Sequence, residues 1–296
     1  MKIDTKNTLQ EIGLQLDRNQ FPRVYNGGIV KPSDTVIASS ILGEDMNYVS
    51  SRQRRPQTRS RERTTRQQRE AYRPWPPSGT SPTPCSGLRS HYEAELGSVQ
   101  EAYPGTKIWY QEEGMWLLTE SSVLAELGKK ATFLCALPYS PNLLPRSWGF
   151  WRNAISYEWI GPRHTNFPEG SICAFDLKDN TWNVGDEIVK LLDLYTLWAL
   201  RHEHLKVLGR WPGYQSAPYA YERMEELRDD EYCGCNNSEK QYRDCCKIKD
   251  LSKNKIAHAL EFIRFTRGNL IRKPPTNILH FMHVRKKAPD IINIFS

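Results

Sequence analysis

The sequence lacks an apolar run of the ~18 residues that a membrane-spanning helix needs, and its first residues lack the apolar core of a signal peptide. Both absences favour a soluble, cytoplasmic protein without a membrane partner. At 296 residues the chain is long enough for one domain of ordinary size with appendages, or for two small domains.

Most of the chain also lacks net charge. The formal charge is +7, and residues 51–73 alone carry nine Arg and two Glu, a net of +7, so the other residues sum to zero. The basicity therefore belongs to one segment and not to a folded surface. Residues 51–86 are rich in Arg and Pro and poor in apolar side chains, which predicts disorder. Such a tract binds phosphates without reading bases, so a non-specific nucleic-acid arm at 51–73 and a solvated linker are the two alternatives.

The cysteines do not form an even set, as a disulfide framework requires. There are seven, and four of them fall between residues 233 and 246. We call these four the cysteine cluster: Cys233, Cys235, Cys245 and Cys246. Four converging thiolates provide the tetrahedral soft-ligand set that zinc favours, and the crowding suits a reducing compartment. The sequence therefore predicts a structural zinc site.

A further cysteine stands apart from the cluster. Asn166 precedes Cys173 by seven residues, with Pro168 and Gly170 between them. These helix breakers predict a tight loop that brings the amide side chain back toward the thiol. A thiolate that attacks a carbonyl beside an amide N–H, which stabilises the oxyanion, is a catalytic arrangement. The alternative is a small core cysteine and a turn-forming asparagine.

Hydrophobic periodicity predicts a mixed α+β domain around this loop. A helix is expected from about residue 87 until Pro104 interrupts it. Its apolar positions are Leu88, Tyr92, Leu96 and Val99. Runs rich in β-formers then predict a four-stranded antiparallel meander, with strands at 107–110, 115–119, 131–137 and 148–151.

A second strong helix is expected after the loop. Asp186 is predicted to cap it, and Gly209 to end it. His202 and His204, near its end, are interpreted as positive complements to the helix C-terminus. Further on, a helix is expected around Ile256, and the apolar tail at 291–295 is expected to dock either on the body or on a partner.

The segment around Cys173 resembles the active-site segment of ubiquitin-conjugating enzymes. His164-Thr-Asn166, then Gly-Ser-Ile-Cys173, then Trp182 follow that family's His-Pro-Asn, Gly-x-hydrophobic-Cys and later Trp. Thr165 replaces the usual Pro, and the interval from Asn166 to Cys173 is one residue shorter than in the eukaryotic pattern. The resemblance implies the family's fold: an N-terminal helix, a four-stranded meander, an active-site loop and a C-terminal helix.

On this resemblance Cys173 carries a ubiquitin-like protein or a protein C-terminus as a thioester, and passes it to an amine. Asn166 stabilises the oxyanion, and His164 braces the loop. The implied partners are the modifier, an acceptor protein and an activating enzyme. Bacterial relatives belong to antiphage operons in which they modify a nucleotidyltransferase that makes cyclic oligonucleotides, so that acceptor is implied by the family alone. The alternative is a catalytically inactive adaptor that binds partners through the same fold.

The cysteine cluster resembles the SEC-C motif, a small zinc knuckle of many bacterial proteins. That motif places Ser, Lys and Tyr between its two cysteine pairs, and here Ser238, Lys240 and Tyr242 take those places. The spacing is one residue longer, and Asn237 and Glu239 replace two glycines. The resemblance implies a structural zinc ion that mediates contacts and performs no chemistry.

These predictions divide the chain into six parts. They are 1–50, weakly structured and unassigned; 51–86, the disordered linker; 87–212, the conjugating-like domain; 213–232, an acidic linker; 233–247, the zinc motif; and 248–296, a helix and tail.

Overall fold

The computed structural model describes residues 5–17, 24–25, 28–29, 86–122, 129–153, 155–175, 181–235, 240–266 and 268–295. The Arg-rich tract 51–73, with the expectation of disorder, lies outside these residues, and so do Asn237, Ser238 and Glu239 of the zinc motif. Within the described ranges, no helix combines the length and apolarity that crossing a bilayer requires.

Five consecutive strands lie in the middle of the chain, a short hairpin and two helices precede them, and helices follow them. The strands are β1 (Val24–Tyr25), β2 (Gly28–Ile29), β3 (Lys107–Tyr110), β4 (Gly114–Glu120), β5 (Ala131–Pro138), β6 (Arg146–Arg152) and β7 (Tyr157–Trp159). The helices are α1 (Thr5–Asp17), α2 (Ser86–Ala102), α3 (Ile188–Leu208), α4 (Ala220–Glu226), α5 (Lys247–Leu251), α6 (Lys255–Phe265), α7 (Thr276–Val284) and α8 (Ile292–Phe295). A 3₁₀ turn spans Tyr242–Asp244.

Strands β3 to β7 form one antiparallel sheet in which each strand pairs with the next along the chain. Strands β1 and β2 form a separate hairpin. The predicted meander is therefore present, and β3 has the predicted bounds. The count of four strands was wrong, because β7 adds a fifth at the edge, paired through Phe150 and Trp159. Three residues are too few for an alternating pattern to be visible in the sequence.

One face of the sheet packs against helix α3, and helices α1 and α2 pack on α3 and complete the same core. Met115, Leu117, Phe133, Cys135 and Leu137 point to this face and are fully buried. Helix α3 contributes the largest share of the covering residues, and its apolar side chains extend almost all the way round, as expected for a helix buried between neighbours. The buried apolar residues of α3 are Ile188, Leu191, Leu192, Tyr195, Leu197, Trp198, Ala199 and Leu200.

The opposite face of the sheet is covered by the C-terminal segment. The alternate positions of the strands, among them Trp116, Leu134 and Trp148, pack with α7 and α8 in a second core. The tail contributes Ile278, Phe281, Met282, Ile291, Ile294 and Phe295. The tail therefore docks on the body, which resolves the question that its sequence left open. Because both faces are covered, β4 and β5 are buried at nearly every position.

The ends of α3 match the prediction in part. Gly209 lies in the left-handed region with φ 70°, and its N–H donates to the Leu205 carbonyl, as expected of a C-cap glycine. The N-terminal expectation was wrong: the cap residue is Glu187, without a side-chain capping bond. Asp186 instead accepts from the Asn183 N–H at 2.9 Å, which closes the turn before the helix.

Candidate functional site

A loop after β7 carries the predicted catalytic residues. Thr165 and Ile172 form an isolated antiparallel bridge, so that the chain returns on itself within seven residues. On one side of the bridge, the Asn166 N–H donates to the Ser171 carbonyl at 2.7 Å. On the other side, the Cys173 N–H donates to the His164 carbonyl at 2.9 Å. The loop thus brings together the three residues that the sequence singled out, Cys173, Asn166 and His164.

The tip of the loop needs glycine and is held against the sheet. Gly170 has φ +63°, and a Cβ there would lie 2.9 Å from the Trp159 ring and 3.0 Å from the Lys273 backbone. The Ile172 N–H donates to the Ser147 carbonyl at 2.7 Å, and the Trp148 indole donates to the Glu169 carbonyl at 2.8 Å. These bonds tie both arms of the loop to β6.

Cys173 is partly exposed, and no disulfide involves it. Cys135 provides the contrast within the same domain, because it is fully buried in the sheet core and burial raises the pKa of its thiol to about 12. A thiol in that setting is a packing residue with little thiolate character. Cys173 has the exposure that a reacting partner requires, and Cys135 does not.

The Asn166 side chain lies against the chain that leads into Cys173. Its Nδ2 donates to the Ser171 hydroxyl at 3.1 Å and to the Ile172 carbonyl at 3.3 Å. The second acceptor belongs to the peptide bond that joins Ile172 to Cys173. Both amide hydrogens are therefore directed into the loop, and the bond to Ile172 is the longer of the two.

His164 is a structural element of the loop. Its backbone lies in the left-handed region with φ 50°, and its ring stacks on Trp211 with centroids 4.4 Å apart. Its carbonyl accepts from the Trp198 indole at 2.9 Å as well as from Cys173. Burial, and then the charge of Arg163, lower the pKa of His164 well below its usual range. The imidazole is therefore neutral at physiological pH and unsuited to donate charge to the thiol.

Beneath the loop lies an ion pair that sequence reasoning missed. Arg163 donates from Nη2 to Glu231 Oε2 at 2.8 Å, and both side chains are almost wholly removed from solvent. The other carboxylate oxygen of Glu231 accepts from the Trp211 N–H at 2.7 Å. Arg163 also donates to the Glu226 carbonyl and to Gln215. The partners lie 68 residues apart in sequence, so no local pattern indicates the pair.

A second buried pair joins the C-terminal segment to the same region. Arg272 pairs with Glu222 and with Glu226, the latter at 3.2 Å, and it donates to the Pro162 carbonyl at 3.0 Å. Its guanidinium also lies 4.1 Å from the centre of the Phe167 ring. Burial raises the pKa of Glu222 to about 7. The charge of Arg272 opposes this shift, and the charge of Glu226 adds to it.

The cysteine cluster is assembled as predicted. The four sulfur atoms lie within 4.8 Å of one another, with Cys235 and Cys245 at 3.5 Å and Cys245 and Cys246 at 3.8 Å. A tetrahedral ion bonded to sulfur at about 2.3 Å requires sulfur–sulfur separations near 3.8 Å. The donor set therefore fits a soft metal ion, and all four positions of a tetrahedron are filled by protein. Burial and the bond to the Cys235 thiol raise the pKa of Cys245 to about 11, so this thiol is protonated when no metal is bound.

Two short chain segments hold the cluster together. Tyr232 and Gln241 form an antiparallel bridge; the Cys233 N–H donates to the Lys240 carbonyl at 2.9 Å, and the Tyr242 N–H to the Glu231 carbonyl at 2.8 Å. The same ladder thus carries a cysteine ligand at one end and the partner of Arg163 at the other. We call this ladder with its cysteines the knuckle.

The knuckle is fastened to the helices on either side of it. Arg223 of α4 forms a bidentate ion pair with Asp250 of α5, and both nitrogen–oxygen distances are 2.8 Å. Arg223 also donates to the Ala217 carbonyl at 2.9 Å, while the Ala217 N–H donates to the Gly234 carbonyl at 2.7 Å. Gly234 has φ +68°, and a Cβ there would lie 2.7 Å from the Ala217 nitrogen. Only glycine fits between the first two cysteines.

The interpretation of the two α3 histidines was wrong. His202 bonds the Arg163 carbonyl at 2.8 Å, and burial lowers its pKa to about 3. His204 bonds the Arg210 carbonyl at 2.7 Å, and burial lowers its pKa as well. Both rings are neutral core groups that satisfy backbone carbonyls, so neither supplies positive charge to the helix end.

In comparisons with protein-family models, curated proteins and solved structures, nothing matches this chain. Its class is therefore defined by its own geometry. It is a mixed α+β protein with a five-stranded antiparallel sheet, a cysteine-bearing loop at the edge of that sheet, and four cysteines positioned as a metal site.

Proposed function

We propose that the protein is a cysteine-based acyl carrier of the ubiquitin-conjugating type, with Cys173 as the nucleophile. The observation that carries the proposal is the Thr165–Ile172 bridge, which holds a partly exposed cysteine and an amide side chain in one loop. Element order supports it: helix α2, the antiparallel meander, the cysteine loop and helix α3 follow one another as in that family.

The chemistry has two steps. In the first, the Cys173 thiolate attacks a thioester carbonyl; a new sulfur–carbon bond forms, and the donor leaves as a thiolate that takes up a proton. In the second, an amine attacks the Cys173 thioester, the carbon–sulfur bond breaks as an amide forms, and the Cys173 thiolate takes up the proton that the amine loses. No oxidant or reductant is consumed. The order of both steps resembles that of ubiquitin-conjugating enzymes, and the donor is a ubiquitin-like protein or another protein C-terminus.

Asn166 is assigned to the oxyanion of the second step. In the resting loop its amide donates to Ser171 and to the Ile172 carbonyl. The bond to Ile172, at 3.3 Å, is the weaker one by its length, and we assign it as the bond that is exchanged for the oxyanion. His164 is a positioning residue, because its carbonyl receives the Cys173 N–H while its neutral ring packs on Trp211.

The knuckle is assigned a structural zinc ion. Four thiolates leave no open position for a substrate or water, so the ion supplies folding energy and no catalysis. Cys233, Cys235, Cys245 and Cys246 hold it, and Glu231 connects their ladder to the underside of the cysteine loop. Contacts with partners are the expected use of the exposed side of the knuckle.

A peptide C-terminal thioester tests the carrier step without knowledge of the natural modifier. The full chain is incubated with this peptide, and adducts are mapped by mass spectrometry before and after addition of a thiol reductant. We expect an adduct at Cys173 that the reductant removes. Cys173→Ser should give no adduct, because no base among the described residues of this site activates a hydroxyl to attack the thioester, and Cys135→Ala is the matched control that keeps the wild-type adduct. An adduct that survives in Cys173→Ala, or none in the wild type, would contradict the proposal.

One observation favours the adaptor alternative. Both hydrogens of the Asn166 amide are engaged by acceptors of the loop itself. In an inactive adaptor the loop would serve only to shape the surface, and the Asn166 amide would keep its bonds to Ser171 and Ile172 permanently. The adaptor predicts no reductant-sensitive adduct with activating enzyme, ATP and modifier, and partner binding that is unaffected by Cys173→Ala.

A further inference from the structure

Two short helices beside the knuckle expose apolar side chains. Helix α5 begins directly after Cys246, whose carbonyl accepts from the Asp250 N–H at 2.8 Å, and α6 follows after a turn at 252–254. A single exposed apolar residue is ordinary, but several large ones close together mark a contact site. We use the name outer face for the four aliphatic residues that are more than half exposed here: Ile248 at 81%, Leu251 at 61%, Ile256 at 67% and Leu260 at 52%.

The opposite sides of both helices pack on α4. Asp250 of α5 is the buried carboxylate that pairs with the arginine of α4, and the Phe262 ring of α6 contacts a tyrosine ring of α4 with centroids 5.4 Å apart. His258 lies one turn before Phe262 and is buried as well. Ile256 and Leu260 each precede one of these two residues by two positions, about 200° around the helix. They therefore project away from α4, and the two hydrophobic cores do not include them.

Basic side chains lie around the outer face. Arg264 is exposed one turn beyond the last residue of the outer face, while Lys249 and Lys253 are exposed on α5 and in the turn after it. Among the residues that the structure describes, no carboxylate lies within ion-pair distance of these three cations. Lys247 differs from them, because Asp229 holds its ammonium at 2.5 Å. The three cations are therefore available to the acidic groups of a partner.

We propose that the outer face binds an amphipathic helix of a partner protein whose apolar stripe is flanked by acidic residues. Apolar side chains of that helix, spaced by three or four positions, cover the outer face. Its carboxylates pair with Lys249, Lys253 and Arg264, which orients the helix and selects against basic partners. Because α5 follows the last cysteine directly, the knuckle holds this surface in place. The proposal does not depend on acyl transfer by Cys173.

Two other occupants fit these charges less well. In a two-fold contact between copies of this chain, the outer face would meet itself, and cations would lie against like cations. An anionic lipid surface would be repelled by exposed carboxylates at the margin, which belong to Glu225, Asp229 and Glu261. A partner protein avoids this cost, because it can place a cation opposite each carboxylate. The acidic helix is therefore the occupant that the charges favour.

Titration of a fluorescent peptide with the full chain, followed by anisotropy at near-physiological salt, tests the proposal. The peptide has about 18 residues, or five helical turns, with leucines along one side and glutamates beside them. One reference peptide carries lysine in place of each glutamate, and a second has the same residues in scrambled order. We expect the acidic helix to bind the wild type, and both references to bind at least about tenfold more weakly.

Two double variants locate the binding. Leu251→Ser with Ile256→Ser removes two apolar contacts, and Lys249→Glu with Lys253→Glu reverses two charges; each should weaken the acidic peptide by about tenfold or more. All four side chains are exposed, so the fold is expected to persist. The charge variant should also bind the lysine peptide more tightly than the wild type does, a gain that misfolding cannot produce.

Matched controls lie elsewhere on the surface. Leu14→Ser with Val207→Ser removes exposed apolar side chains of α1 and α3. Lys286→Glu with Lys287→Glu makes the same change in net charge at two exposed positions after α7. Both control variants should leave the affinity for the acidic peptide within about twofold.

Several results would overturn the proposal. Absence of acidic peptide binding to the wild type, equal binding of the scrambled peptide, or equal losses in the control variants would each do so, because any binding would then follow net charge or the Arg-rich tract. Binding to vesicles of phosphatidylserine and phosphatidylcholine that requires the outer face, without peptide binding, would identify a lipid surface instead. Sedimentation that shows a dimer of the wild type and a monomer of the Leu251→Ser, Ile256→Ser variant would identify a second copy.

Discussion

The cysteine loop and the knuckle use the same side chain in opposite ways. In the loop one sulfur is presented at the end of a bridged turn, partly open to solvent, with an amide beside its backbone. In the knuckle four sulfurs face one another within 4.8 Å, so that each is a ligand for the same point in space. A single thiol that is partly open to solvent can react with a partner, whereas four converged thiols provide a complete ligand set for one metal ion.

The two regions are also physically joined. Glu231 lies two residues before Cys233 in the ladder of the knuckle, and its carboxylate holds Arg163, the residue before His164 in the loop. The conformation of the cysteine loop therefore depends on the knuckle, because the knuckle positions Glu231 and Glu231 holds Arg163 of the loop. Four measurements test whether the two regions differ, and depend on each other, in this way.

Cys245→Ser combined with Cys246→Ser should have the largest effect. Two of four ligands are lost, and structural zinc sites of this kind contribute on the order of 10–16 kcal/mol of binding free energy to folding. We expect loss of stoichiometric metal, measured by elemental analysis, and loss of amide protection in the 231–242 ladder, measured by hydrogen exchange. Cys135→Ala is the matched control and should retain its metal. Full metal content in the double variant would show that the cluster is not the binding site.

Glu231→Gln should break the connection between the regions while it preserves their cysteines. Removing one partner of a buried pair leaves Arg163 without its main carboxylate, at a cost of about 3–5 kcal/mol. We expect a lower urea midpoint in metal-saturated protein and faster alkylation of Cys173 by iodoacetamide, read out on its peptide by mass spectrometry. Glu93→Gln breaks the exposed Arg89–Glu93 pair and should change neither. An unchanged alkylation rate would mean that the loop holds its shape alone.

Asn166→Ala should lower acyl transfer from Cys173 to an amine by about 10²–10³ if the amide serves the oxyanion. Asn166→Asp keeps the shape without the N–H donors and should lose a similar factor. The measurement is single-turnover aminolysis of a preformed Cys173 thioester, with Asn254→Ala, at the N-cap of α6, as the control. Transfer at the wild-type rate in both variants would leave Asn166 a turn residue only and favour the adaptor.

Glu222→Gln should have the smallest effect and one visible only as a function of pH. Burial raises the pKa of Glu222 from 4.5 to about 7, so the folded state holds its proton more tightly than the unfolded state. That contribution, on the order of 3 kcal/mol, is present below about pH 4.5 and is lost as the pH rises through 7. Thermal melts of the wild type between pH 5 and 8 should show this decline, and the variant should show a flatter profile. Parallel profiles would place the excess proton on another carboxylate.

Local patterns predicted a large part of this architecture. The helix at Ser86–Ala102, four of the five sheet strands and the helix Ile188–Leu208 follow from side-chain periodicity and from glycine and proline positions, which act over a few residues. Clustering of cysteines within fourteen residues likewise implied their convergence. The failures were β7, too short for a pattern, and the α3 cap, where Asp186 closes a turn instead.

The histidines show why other properties were out of reach. Burial lowers the pKa of His202, whose ring bonds the carbonyl of Arg163, 39 residues earlier in the chain. The same histidine at an exposed helix end would carry a positive charge more readily. The Arg163–Glu231 and Arg272–Glu222 pairs likewise join residues 68 and 50 positions apart. Partners at such separations are set by how the elements pack, and a single sequence contains no local trace of that choice.

Three features could be read from the amino-acid sequence alone: the alternation of helices and strands, the bend between Asn166 and Cys173, and the grouping of four cysteines. Each of them depends on the conformational preferences of neighbouring residues. Packing of the whole chain was needed to show that the C-terminal tail covers the second face of the sheet, and that the knuckle supports the cysteine loop through Glu231. These outcomes depend on which surfaces exclude water together, and that is settled when the whole chain packs.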